Sequence, residues 1–135
     1  MRNDLLILRA FFTIGISFTL IIFSMESASA QDKKQMVRMA KLVIDPAQLE
    51  NYKAILKEEI ETSLRVEPGV LTLYAVSEKE NPNHITIFEI YASTEAYKSH
   101  VQTPHFLKYK NATKDMVKSL ELIDVDPLLP GTKIK

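Results

Sequence analysis

Beyond residue 35 the apolar positions fall into periodic segments separated by turn-forming residues. Residues 36–44 alternate, with Met36, Arg38, Ala40, Leu42 and Ile44 on one face and Val37, Met39, Lys41 and Val43 on the other, which predicts a strand whose two faces are both largely apolar. Asp45-Pro46-Ala47-Gln48 then opens a helix. Asp45 can accept from free backbone amides, Pro46 suits the first helical position, and Gln48 can complete a capping-box-like exchange. Leu49, Tyr52, Leu56, Ile60 and Ser63 or Leu64 recur at helical spacing opposite the solvated Lys53, Lys57, Glu58 and Glu61, so the helix runs to about residue 64. Glu67-Pro68-Gly69 stops it.

Residues 70–77 alternate again, and the polar turn around Asn81-Pro82-Asn83 is too short to hide a crossover, so 70–77 and 84–92 form an antiparallel hairpin. Ser93 caps a helix that opens at Thr94-Glu95-Ala96 and is interrupted at Thr103-Pro104, where Thr103 caps and Pro104 starts a second segment. Phe106, Tyr109, Thr113, Met116, Val117 and Leu120 continue a helical stripe, and residues 120–125 read as a short last strand. Strand, helix, strand, strand, helix, strand is the split βαβ order of an α+β, ferredoxin-like domain: a four-stranded antiparallel sheet with both helices on one face. The other face, carrying residues such as Leu71 and Leu73 or Val70 and Tyr74, needs a cover. A homodimer closing sheet on sheet is the expectation.

Residues 1–30 stand apart from this periodicity. Arg2 and Arg9 precede a weakly polar-to-apolar run over 10–23, and Ala28-Ser29-Ala30 matches the small-x-small pattern of a signal-peptide cleavage site. The reading is an export signal cleaved after Ala30, leaving 105 of the 135 residues. A polar lead-in covers 31–35, one domain covers 36–126, and a tail covers 127–135. The competing reading is a retained anchor over 5–23 with Arg9 at the interface. Export implies a periplasmic or secreted protein that meets the membrane only through this segment.

Composition narrows the function classes. The 17 basic and 17 acidic residues balance, so no nucleic-acid footprint is expected. The chain has no cysteine, which excludes disulfides, thiolate metal sites and thiol nucleophiles. Three glycines in the whole chain are too few for a phosphate loop or a dinucleotide fingerprint.

Candidate chemistry concentrates in 84–106. Glu89 shares a strand face with Ile85, Ile87 and Tyr91, where a carboxylate must be paired, hydrogen-bonded or protonated. It is half of a structural ion pair, with Arg38 as a candidate partner, or a residue at a sheet end that stays wet, or a proton acceptor facing a pocket. Tyr97 and His100 are three apart and share a helix face that can look back at the sheet; His100 is a base or a boundary histidine bonded to backbone. His105 sits just inside the second helical segment, among free amides that favour an anionic or electron-rich group, or else seals the junction. The His100 to His105 spacing with Pro104 between is not the i, i+4 spacing of two helical metal ligands, so no metal site is expected. Tyr74 and Tyr91 can stack on a planar ligand or pack core, and His84 reads as a surface residue.

Glu67-Pro68-Gly69-Val70, Tyr74, Phe88-Glu89-Ile90-Tyr91, Ala96 and above all His100-Val101-Gln102-Thr103-Pro104-His105-Phe106 resemble the antibiotic biosynthesis monooxygenase (ABM) family, and within it the small quinol monooxygenases. The resemblance covers roughly 36–125. It implies a ferredoxin-like fold, a dimeric α/β barrel, and cofactor-independent oxygenation of a quinol or similar aromatic by O2 between sheet and helices. The matching positions are Glu89, Tyr91, His100 and His105. Tyr91 stands where several members place tryptophan, the asparagine and tryptophan pattern of haem-degrading relatives is absent, and the export signal is a further departure. On this footing His100 takes a proton from a phenol or hydroquinone, Glu89 orients or stabilises it, and His105 positions the ring. Arg38, Tyr74, Tyr91, Tyr97 and Phe106 are the candidate substrate-binding residues. An isomerase of a small oxygenated ketone and a non-catalytic dimeric binding module remain open, because one fold hosts several activities.

Overall fold

A computed structural model describes residues 34–129 and residue 131. Four strands, β1 (Met36–Ile44), β2 (Val70–Ser77), β3 (His84–Tyr91) and β4 (Val117–Val125), form one sheet in the order β2-β3-β1-β4 with every neighbour antiparallel. Three helices, α1 (Leu49–Val66), α2 (Thr94–His100) and α3 (Pro104–Thr113), complete the ferredoxin-like α+β fold. The segment expected to be an export signal and most of the tail lie outside the described residues. Among the described residues no helix is long and apolar enough to cross a membrane.

Ala40, Leu42 and Ile44 of β1 and Ile85 and Ile87 of β3 meet Tyr52 and Leu56 of α1 in the main core. Full burial of one such aliphatic side chain contributes roughly 1.5–3 kcal/mol. A second cluster joins Val70, Leu73 and Tyr91, with Ala96 and Tyr97 of α2 packed on it. Val70 and Leu73 share this cluster although they are three apart, because the β2–β3 register shifts between Val70 and Thr72. That irregularity sends Tyr74 and Val76 to the outer face beside Phe88, where all three are exposed.

The entry to α1 differs from the capping-box expectation. Asp45 accepts from the amide of Ala47 (3.0 Å), but Pro46–Gln48 form a single 3-10 turn and Gln48 makes no side-chain cap. Lys118 of β4 pairs with Asp45 instead (2.9 Å), and this hydrogen bond, with that from Ala47, holds the Asp45 carboxyl below its ordinary value. The break between α2 and α3 follows the predicted chemistry. Ser93 and Thr103 cap through their side-chain oxygens, and Pro104 occupies the first turn of α3.

The helical stripe expected to reach Leu120 ends at Thr113, and β4 starts at Val117. Thr113 turns its hydroxyl back onto the Tyr109 carbonyl (2.9 Å), a bond that weakens helix continuation. The Asp45 amide then captures the Met116 carbonyl (2.7 Å), and Val117 and Leu120 pair with Ile44 and Leu42. The free edge of β1 offers a full row of ladder bonds, which outweighs a local period that fits helix and strand alike.

Candidate active site

The helices leave part of the sheet open on their side. Leu120 and Leu122 of β4 stand in the same cross-strand rows as the buried Leu42 and Ala40 but remain about half exposed. Together with Leu73, Ile87 and Phe106 they line a cavity of about 630 Å³, within the range of small-molecule sites. Its polar lining includes Arg38, Glu59, Glu89, Tyr91, Tyr97 and His100.

Arg38, Glu89 and Asp124 occupy one row across β3, β1 and β4. On sequence Glu89 is open between an ion pair with Arg38, a wet sheet-end position and a pocket carboxylate. Arg38 gives its Nε–H to Asp124 (2.6 Å), which raises the guanidinium further and lowers the Asp124 carboxyl. Its guanidinium carbon sits 4.4 Å from the Tyr97 ring centroid, a cation–π contact. Glu89, buried, accepts from the Tyr91 hydroxyl (2.8 Å). Desolvation pushes the Glu89 carboxyl up, opposed by that hydrogen bond and by attraction to His100 and Arg38. Burial raises Tyr91 as well, so it stays a neutral donor.

His100, 2% exposed, ends α2 and makes an edge contact with Phe106 (centroids 4.9 Å apart). Its Nδ1 lies 3.0 Å from Glu67 Oε1, and its Nε2 lies 3.7 Å from Glu59 Oε1. Glu59 accepts from Ser63 (2.7 Å); burial raises its carboxyl despite that bond and the attraction of His100 and His105. Burial also pushes Glu67 upward, but the hydrogen bonds and attraction from both histidines prevail and hold it below its ordinary value.

Of the eight residues proposed from sequence, Arg38, Glu89, Tyr91, Tyr97, His100 and Phe106 line the cavity. His105 does not: its Nε2 faces Glu67 Oε1 (2.5 Å) and Thr103 Oγ1 (3.2 Å), so it meets the carboxylate behind His100 in place of a ring in the cavity. Tyr74 does not either, since the β2 register shift turns it, 59% exposed, to the opposite sheet face. Sequence reasoning passed over Glu59 and Glu67. Glu59 was legible as the one carboxylate inside the apolar stripe of α1, three residues after Leu56 and four before the buried Ser63. Glu67 stands in the sequence as part of a helix stop and of the family-like Glu67-Pro68-Gly69-Val70 run, and neither signal points to the histidines it meets. Glu59, His100 and His105 each offer a potential ligand atom within 4.8 Å of the others. In this structure His105 Nε2 is turned to Glu67 and Thr103, so the group is arranged as a hydrogen-bond network, and a cation would have to displace those bonds.

The sequence profile of the antibiotic biosynthesis monooxygenase family matches residues 36–112. The chain belongs to this family. A candidate antibiotic biosynthesis monooxygenase from Bacteroides thetaiotaomicron is 65% identical over 76% of this chain and 97% of its own, with a TM-score of 0.73. A candidate monooxygenase from Lactobacillus acidophilus is 33% identical over 72% of this chain (TM-score 0.65), and the match spans about half, 52%, of that longer protein. A candidate family member from Nitrosomonas europaea shares the fold at 19% identity, with a TM-score of 0.67 over 73% of this chain. No curated protein sequence matches. The ABM assignment agrees with the ferredoxin-like sheet and places the family match across every element that lines the cavity except β4.

Proposed function

We propose that this ABM protein is a monooxygenase that oxidises a quinol or similar electron-rich phenol with O2, using no bound cofactor. The observation that carries the reading is His100: a buried histidine flanked by carboxylates, set in the wall of an otherwise largely apolar cavity. An aromatic ring fits among Leu73, Phe106, Leu120 and Leu122, and its hydroxyl proton passes to His100 Nε2. The phenolate formed is electron-rich enough to reduce O2 directly. One oxygen atom enters the ring and the other leaves as water, so a hydroquinone and O2 yield a hydroxyquinone and water with all four electrons coming from the substrate. Arg38, held by Asp124 and Tyr97, supplies fixed positive charge near the developing anion. Glu89 and Tyr91 complete the polar wall.

The working form in this proposal is a homodimer. Tyr74, Val76 and Phe88 are exposed together on the outer sheet face, and a second sheet is the cover of matching chemistry. The N-terminal pattern supports export of this dimer. Oxygen uptake with menadiol, corrected for autoxidation, tests the activity: His100→Ala is expected to lower the enzymatic rate by 10²-fold or more. Turnover that proceeds equally well without oxygen would replace the monooxygenase with an isomerase.

A further inference from the structure

Glu67 flanks His100 but takes no step in the reaction just described, and its carboxylate meets both histidines at the junction of α2 and α3. Pro68 restricts the backbone before it, and Glu67 is extended (φ −110°, ψ 101°) where α1 ends. Its amide bonds to the Ser63 carbonyl (3.0 Å), and its carbonyl accepts from Val70 (3.1 Å). The main chain is thereby pinned on both sides. One carboxylate oxygen, Oε1, then meets both His100 Nδ1 at 3.0 Å and His105 Nε2 at 2.5 Å.

The heavy-atom pattern assigns the protons. Thr103 has a single hydroxyl proton and gives it to the His100 carbonyl (2.8 Å), so toward His105 Nε2 it can only accept. His105 Nε2 therefore carries hydrogen and donates to Thr103 and Glu67. An ionised Glu67 has acceptor capacity alone, so His100 Nδ1 must also be a donor. In the neutral imidazole this leaves the lone pair on Nε2, 3.7 Å from Glu59 Oε1, a separation outside hydrogen-bond range.

Building on the reading of His100 as the base, we infer that Glu67 is the positioning residue of the site: it holds His100 in the Nδ1–H tautomer with Nε2 free to take the substrate proton, and steadies the imidazolium that results. His105 anchors Glu67 and never touches substrate. The proton moves from the substrate oxygen to Nε2, the Nδ1–H bond to Glu67 persists throughout, and no electron or co-reactant is needed. Other ionisable groups also face His100 or its neighbourhood: Glu59 from α1, Glu89 and Tyr91 from β3, Arg38 from β1, Tyr97 from α2 and His105 from α3. All six remain when Glu67 alone is changed.

Glu67→Gln keeps the shape and removes the charge. In protein with 15N-labelled imidazoles and no substrate, the resting enzyme is expected to show His100 protonated at Nδ1 and His105 at Nε2. In Glu67→Gln the His100 titration is expected to move to lower pH, because the imidazolium loses its anionic neighbour. With menadiol, kcat is expected to fall on the order of 10²-fold with KM within threefold, and the rising limb of the pH profile to move the same way. Glu67→Asp is expected to restore part of the rate. His100 protonated at Nε2 at rest, or an identical His100 titration in Glu67→Gln, would overturn the inference whatever the activity. The expected tautomers and titration shift without turnover of any phenol would uphold the positioning role and overturn the monooxygenase reading instead.

Discussion

Gly69→Ala tests how tightly the helix that carries His100 is seated. A Cβ added at Gly69 would lie 2.7 Å from the Cβ of Ala96 and 3.6 Å from its Cα. Carbon atoms meet comfortably at about 3.5–4.0 Å, so roughly 1 Å of overlap must be relieved. The near atom is the stub of a helical alanine, with no flexible end to swing away. Ala96 is fixed in turn by its amide bond to the Ser93 cap (3.1 Å), and Gly69 by the bond from the Ala92 amide to its carbonyl (2.9 Å). Relief therefore shifts α2, the helix that carries Tyr97 and His100, and overpacking of this kind costs about 1–3 kcal/mol. Ala96→Gly alone costs about 1 kcal/mol through helix propensity. The double variant has no clash, so its destabilisation should fall at least 1 kcal/mol short of the sum of the singles. Urea unfolding of all four proteins supplies the cycle. Additive values, or a Gly69→Ala protein as stable as the parent, would refute the claim that this glycine exists for close approach.

Three further outcomes follow from the packing and charges. Tyr52→Phe removes the hydroxyl bonded to Tyr109 (2.8 Å) and should cost about 0.5–1.5 kcal/mol in denaturant unfolding while leaving the fold intact. Glu89 has a folded carboxyl raised by burial, so its contribution to stability is complete below the ordinary glutamate range and is lost as pH rises through the raised value. Glu89→Gln should gain on the parent as pH rises above the ordinary glutamate range, followed by unfolding at each pH, and a pH-independent difference would contradict this. Phe88→Lys puts a charge on the exposed outer face and should convert the proposed dimer to monomer in sedimentation at micromolar concentration; a parent protein that is itself monomeric would remove the sheet-on-sheet reading.

Local rules made most of the fold legible. The alternation of β1 and β2, the proline-marked turns and the Ser93 and Thr103 caps each leave a direct trace in residue type, and the strands and helix break fall where those traces lie. Val117 and Leu120 suit either period, and only the free edge of β1, distant in sequence, decides between them. The site divides in the same way. His100 and Glu89 were visible as polar residues on apolar faces, whereas the direction of Tyr74 depends on a register shift that alternation cannot show. His105 was placed by its helix terminus, but its partner is a glutamate 38 residues earlier, which no local pattern reports. Glu67 stayed hidden because a helix-stopping Glu-Pro-Gly explains itself without reference to function.

Stoichiometric oxygen consumption tests the central claim most directly. With the purified protein and a hydroquinone at limiting concentration, the account predicts one O2 consumed per quinol above the autoxidation background, with a hydroxyquinone product carrying one atom from 18O2, and loss of that component in His100→Ala. Uptake indistinguishable from autoxidation, or a product with no oxygen from 18O2, would contradict it.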